Sequence, residues 1–192
     1  APMLAEMVAA GTLPPVDQRL PENPLVLEPV ESVGQYGGTL RMMDMGHLLM
    51  TIGTESLVKW NRDMNGTRPN IITDWKWNDD ATELVAQFRK GIKWSDGEPF
   101  TVDDYLFWWN DMVLDETIGL STPAGTRVAG EPMQLEKIDD YTLKFTFAAS
   151  HPLFLDLGAR GYYNSAWFLV PAHYLKQFHP KYNSEYTDAT EI

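Results

Sequence analysis

Three acidic pairs, Asp79-Asp80, Asp103-Asp104 and Asp139-Asp140, are the residues of this 192-residue chain best suited by type to acid–base chemistry. Paired carboxylates can divide the roles of proton donor and acceptor when their surroundings differ. Here the surroundings argue for structure. Two pairs fall in hairpin turns, where Asp binds nearby backbone amides; the third falls in the first turn of a helix, where the dipole favours negative charge. Asn61, Asp63, Asn65 and Gly66 occupy positions one, three, five and six of a calcium loop. Position twelve is Ile72 in place of the bidentate carboxylate, which favours an Asx-rich turn over an EF-hand. Asn65-Gly66-Thr67 also reads as a glycosylation sequon. Histidines stand at 47, 151, 173 and 179 with no HExxH pattern. There is no cysteine, no Gly-x-Ser-x-Gly and no phosphate-binding glycine loop, so no catalytic constellation, metal site or cofactor site follows from the residues.

A surplus of aromatics remains: seven Trp, eight Tyr and eight Phe. Such rings offer large stiff faces with a polar handle, fit to stack on sugars or to line a peptide groove, and equally fit to fill a core.

The elements that must position these residues are mixed. Residues 1–38 carry prolines at 2, 14, 15, 21, 24 and 29. Met3, Leu4, Met7 and Val8 have helical spacing before Gly11 stops the run, and the rest through Gly37-Gly38 reads as an extended arm wrapping the surface. A buried strand is expected over Thr39–Met43, and Glu55–Trp60 is another apolar stretch. Asp74–Asn78 and Glu83–Lys90 alternate around a turn at Asp79-Asp80-Ala81, with Leu84, Ala86 and Phe88 on one face. After a turn at Ser95-Asp96-Gly97, Thr101 with Asp104 is a near match to a capping box, starting a helix from about Val102 to Leu114 whose stripe is Val102, Leu106, Trp109 and Val113, widened by Phe107 and Trp108. A second hairpin, Leu135–Ile138 with Tyr141–Phe147, turns at Asp139-Asp140 and faces Leu143, Phe145 and Phe147 inward. Short helices are expected over Leu153–Gly158 and Pro171–Phe178. The order lacks a βαβ rhythm, so the fold class is α+β.

Fifteen Lys and Arg against 27 Asp and Glu give a formal charge of -12. That excludes nucleic acid as the natural partner and disfavours anionic lipid. The acidity reads as solubility ahead of attraction for a cationic solute. No apolar run approaches the roughly 20 residues that span a bilayer. The start lacks a basic n-region, as expected where a signal peptide is absent or removed.

Pro69-Asn-Ile-Ile-Thr-Asp-Trp-Lys-Trp-Asn-Asp-Asp80 and Glu83-Leu-Val-Ala-Gln-Phe-Arg-Lys-Gly-Ile-Lys-Trp-Ser-Asp-Gly-Glu-Pro-Phe-Thr-Val-Asp-Asp-Tyr-Leu-Phe107 resemble the family 5 extracellular solute-binding proteins, the oligopeptide and dipeptide receptors of bacterial ABC importers. Ile138-Asp-Asp-Tyr-Thr-Leu-Lys-Phe-Thr-Phe147, Pro152-Leu-Phe-Leu155 and Pro171-Ala-His-Tyr-Leu175 extend the resemblance over about residues 33–180. The ordered motif from Arg89 to Asp104 carries it. Chemically that motif is scaffold: a tight turn, a stiffening proline and a helix cap.

The resemblance implies the amino-terminal part of a two-lobed periplasmic-binding-protein type II fold, a piece of a longer chain. Residues 1–38 would be the proline-rich arm, 39–59 the first strands of lobe one, 60–168 the family's extra α+β subdomain, and 169–192 the return to lobe one. It implies a receptor and not an enzyme, without cofactor or metal, working with ABC permease subunits, periplasmic or extracellular, with a lipid anchor left open. Two segments would approach the cleft: Met43, Asp44, Met45 and His47 in one, and Tyr162, Tyr163, Asn164 and Trp167 in the other. Oligopeptide is the expected ligand. The second segment's aromatics suit an oligosaccharide too, and an interaction subdomain without ligand is the further alternative for an isolated piece lacking half the clamp.

Overall fold

The structure, a computed structural model, describes residues 2–39, 41, 55–118, 120, 122–123, 125–159 and 169–186. In chain order its elements are α1 (Pro2–Ala9), α2 (Val16–Arg19), β1 (Val58–Trp60), β2 (Thr67–Pro69), β3 (Ile72–Trp77), β4 (Glu83–Phe88), α3 (Val102–Phe107), β5 (Arg127–Val128), β6 (Glu131–Pro132), β7 (Gln134–Asp139), β8 (Thr142–Thr146), α4 (Phe154–Gly158) and α5 (Ala172–Leu175). The class is α+β, as the sequence predicts.

The two predicted hairpins merge into one antiparallel sheet of order β3-β4-β8-β7. Their period-two patterns make this possible, because joining β4 to β8 lines up two apolar faces. Leu84 pairs with Phe145 and Ala86 with Leu143, and all four are fully buried. The opposite face carries Glu83, Lys144 and Glu136 as a solvent-side ladder of ion pairs. Trp75 and Trp77 alternate with Asp74 and Lys76 as expected, and remain half-buried against the core.

Helix α3 lies on the apolar face. It begins at a complete capping box: Thr101 Oγ1 accepts from the Asp103 amide at 3.3 Å, while the Asp104 carboxylate accepts from the Thr101 amide at 3.0 Å. From Trp108 to Val113 the helix widens into a π-helical turn, with the Leu114 amide donating to the Trp109 carbonyl. The buried stripe also differs from the predicted one. Tyr105 is fully buried where Leu106 was expected, with its ring 5.7 Å from Phe145 and 6.0 Å from Phe88. Trp108 and Trp109 are both buried, and the Trp109 indole donates to the Met133 carbonyl at 3.0 Å.

The arm departs from a uniformly extended run. Gly11, at φ +71°, ends α1 as expected, because the left-handed backbone that stops the helix carries no Cβ penalty there. One helical turn, α2, then interrupts the extension, entered after Pro15, whose fixed φ suits a helix start. Neither helix buries a residue. The strand expected over Thr39–Met43 falls largely outside the described residues.

Candidate functional site

The acidic pairs have structural work. Asp80 Oδ1 accepts from the Thr82 hydroxyl at 2.7 Å and the Thr82 amide at 3.2 Å, which hold its carboxyl below the usual carboxylate range. Asp139 accepts from the Tyr141 amide at 2.7 Å and the Thr142 hydroxyl at 2.9 Å, with the same consequence. Asp103 and Asp140 both meet Lys137, at 2.7 and 2.8 Å, and raise its ammonium above the ordinary lysine value.

Asp104 does more than cap. It is buried, and besides the Thr101 amide its Oδ2 accepts from the Trp94 indole at 3.3 Å, while Oδ1 accepts from the Ala172 amide at 2.9 Å. Asp111, seven residues on, is also buried. Its carboxylate takes the Tyr182 hydroxyl at 2.6 Å and the Lys181 ammonium, and its carbonyl accepts from His179 Nε2 at 2.7 Å. Two carboxylates on one helix thus hold residues 169–186. Nothing in the local sequence pattern distinguishes Asp111 from an exposed helical aspartate.

The calcium-like loop is an Asx-stabilised turn. Asn61 Oδ1 accepts from the Asn65 amide at 3.0 Å, the Asn61 amide donates to the Gly66 carbonyl, and the two asparagine side chains bond one another. Three histidines are occupied structurally: His151 Nε2 donates to the Gly125 carbonyl, His173 meets Asp96 at 2.7 Å, and His179 uses both ring nitrogens, on Asp111 and the Lys181 amide. Among the described residues no group of three or more His, Cys, Asp or Glu could hold a metal ion, and no helix is long and apolar enough to cross a membrane.

All eight expected cleft residues, Met43, Asp44, Met45, His47, Tyr162, Tyr163, Asn164 and Trp167, lie outside the described residues. What bounds them is described. Strand β1 begins four residues into the described stretch that opens at Glu55, α4 ends just before 159, and α4 packs against β1. An apolar cavity of about 260 Å³ opens between α3 and α5, lined among others by Phe107, Met112, Leu175 and Phe178. Among its described lining residues the one polar side chain, His179, is already engaged.

The described residues thus form an α+β body of two hairpins joined through their inner strands, with an arm before it and a short helix after it. The profile of the bacterial extracellular solute-binding proteins, family 5 (middle), matches residues 66–191, and the chain belongs to that family. It is 33% identical over 201 residues to the periplasmic alpha-galactoside-binding protein of Rhizobium meliloti (strain 1021), a match covering 92% of this chain and 29% of that protein. Among solved structures it resembles an oligopeptide-binding protein OppA, with TM-score 0.81 and 40% identity over 96% of this chain and 29% of the other. It also resembles the periplasmic binding protein MelB from Agrobacterium fabrum C58 in complex with stachyose, with TM-score 0.73 and 32% identity over 94% of this chain and 30% of that one. The chain therefore spans about 29% of the length of the curated relative and corresponds to the amino-terminal part of such proteins.

Proposed function

We propose that this chain is the amino-terminal part of an extracytoplasmic receptor that binds oligopeptides without covalent chemistry and delivers them to the permease of an ABC importer. The supporting observation is the match to an oligopeptide-binding protein over 96% of the chain at 40% identity. Under this reading residues 1–38 form the arm, 39–59 open the first lobe, 60–168 are the extra subdomain, and 169–192 lead back to the first lobe. The solute lies between that lobe and a second one supplied by the rest of the parent, touched by Met43, Asp44, Met45 and His47 from one side and by Tyr162, Tyr163, Asn164 and Trp167 from the other. Peptide backbones are held by hydrogen bonds, and no turnover accompanies binding.

An α-galactoside reading has its own support, in the galactoside-binding and stachyose-bound relatives. Tyr162 and Trp167 would then stack on sugar rings. Isothermal calorimetry of the full-length parent against peptide and α-galactoside panels separates the two. Heat of binding with peptides alone supports the first reading. Binding of α-galactosides that is lost in Tyr162→Ala and Trp167→Ala supports the second, and binding of neither class overturns both.

A further inference from the structure

The motif that carries the family resemblance begins with Arg89, and Arg89 is buried. A buried guanidinium must spend its donors on fixed acceptors. Its Nε donates to the Asn70 carbonyl at 2.9 Å, and its Nη1 donates to the Asn23 carbonyl, 66 residues away in the arm. Asn70 passes the connection on: its side-chain amide donates to the Ser56 carbonyl at 2.6 Å and to the Glu55 carboxylate at 2.8 Å. The Arg89 amide meanwhile donates to the Ile71 carbonyl at 2.7 Å. Three passes of the chain, at residues 22–23, 55–56 and 70–71, are thus linked through Arg89 and Asn70.

The arm is seated on the next residues of the same motif. The Glu22 amide donates to the Lys90 carbonyl at 3.2 Å, and Lys93 Nζ donates to the Gln18 carbonyl at 3.0 Å. Gly91 sits beneath, at φ +79°, and a Cβ there would come within 2.9 Å of the Glu22 amide nitrogen and 3.3 Å of Pro21 Cα. Only a residue without a side chain lets the arm lie this close. No arm residue between Pro2 and Asn23 is fully buried, and Leu4, Val8, Leu13 and Pro21 are only half-buried, so apolar burial is a small part of what holds it.

We propose that Arg89 and Gly91 are positioning residues for the arm: together with Lys93 they form a seat that straps residues 18–23 across the body, and Arg89 ties the strap to Asn70, whose side chain in turn holds residues 55–56. The strap is detachable without unfolding the sheet, because its attachments are polar and lie outside the apolar face.

Trypsin reads this directly, since Arg19 is the one Lys or Arg in residues 1–38. Seated, Arg19 ends α2 and its Nε donates to the Pro14 carbonyl at 2.9 Å. In the full-length parent, Gly91→Asn keeps a residue that tolerates left-handed backbone yet places a Cβ against the arm. Arg89→Gln removes the fork to Asn23. Each is expected to speed cleavage after Arg19 by about tenfold or more, the effect of losing a charge-assisted bond or its equivalent. Cleavage after Lys144, inside β8, serves as the control and stays slow. If Arg89→Gln speeds both sites, the sheet itself has loosened, and Gly91→Asn, which leaves the guanidinium in place, decides. Cleavage after Arg19 within twofold of the unsubstituted protein in Gly91→Asn overturns the proposal.

Discussion

The arm and the last described segment, 169–186, are both tied to the same body, yet by side-chain charges of opposite sign. The arm offers carbonyls, from Gln18 and Asn23, to cations of the body, Lys93 and Arg89. Residues 172–182 offer N–H and O–H groups, from Ala172, Lys181 and Tyr182, to its anions, Asp104 and Asp111. Each pairing is the one that a charge of that sign permits, because ammonium and guanidinium have only donors and ionised carboxylate only acceptors. Between them lies the sheet with α3, held by Leu84, Ala86, Leu143, Phe145 and the aromatic rings packed on them. A core of this kind is cooperative, whereas a polar tether can let go alone. The difference separates what folds the body from what attaches segments to it.

The core gives the largest effect. Phe145→Ala empties a fully buried site that touches Tyr105 and Phe154, and is expected to destabilise the sheet by about 3–5 kcal/mol in chemical denaturation. It should loosen every part of the body together. A loss confined to one segment would break the distinction between core and tether.

Asp104→Asn comes next. Both of its oxygens accept, Oδ1 from Ala172 and Oδ2 from Thr101 and Trp94. An asparagine supplies one acceptor and turns an N–H toward the other donors, an expected loss of about 1.5–3 kcal/mol. Hydrogen exchange sharpens the comparison: the Ala172 amide should exchange faster in this variant while those of β4 and β8 hold. Asp111→Asn should release 181–182 with less effect, since its amide can donate to the Tyr182 oxygen in place of receiving from it.

The body was legible in the sequence because its signals are local and periodic. Leu84, Ala86 and Phe88 on one strand and Leu143, Phe145 and Phe147 on another announce a shared face, and Thr101 with Asp104 announces the helix start. The π-helical widening after Phe107, where Trp108 and Trp109 are both buried with ring centroids 5.5 Å apart, was not legible, since no residue there favours it locally. Nor was the short β5–β6 hairpin, whose turn puts Ala129 at φ +52° beside Gly130 at φ +85°. The tethers were hidden for a further reason. Arg89 and Asp111 look like surface charges along the chain, and only contacts across 66 and 71 residues show what they hold. The cleft residues were named from resemblance alone, and no local pattern could have placed them.

The smallest expected effect is acid sensitivity at the outermost tether, between Asp96 and His173, which meet at 2.7 Å with both side chains partly exposed. The His173 bond, with the Glu98 amide, holds the Asp96 carboxyl below its ordinary value. A depressed carboxylate contributes stability that is present above its unfolded-state pKa and is lost as the pH falls through its folded-state value. Asp80 and Asp139 are depressed in the same direction by turn hydrogen bonds within the body. Stability should therefore hold from neutral pH down to about pH 5 and decline below the ordinary carboxylate range near pH 4. The attachment of 172–178 should decline with it. Asp96→Asn should flatten the decline in the Tyr174 amide's protection against hydrogen exchange and leave that of β8 amides unchanged, because Asp139, which turns into β8, is untouched. An equal flattening at both places would mean that the tether and the sheet titrate as one unit, and the division between core and tether would then fail at its weakest joint.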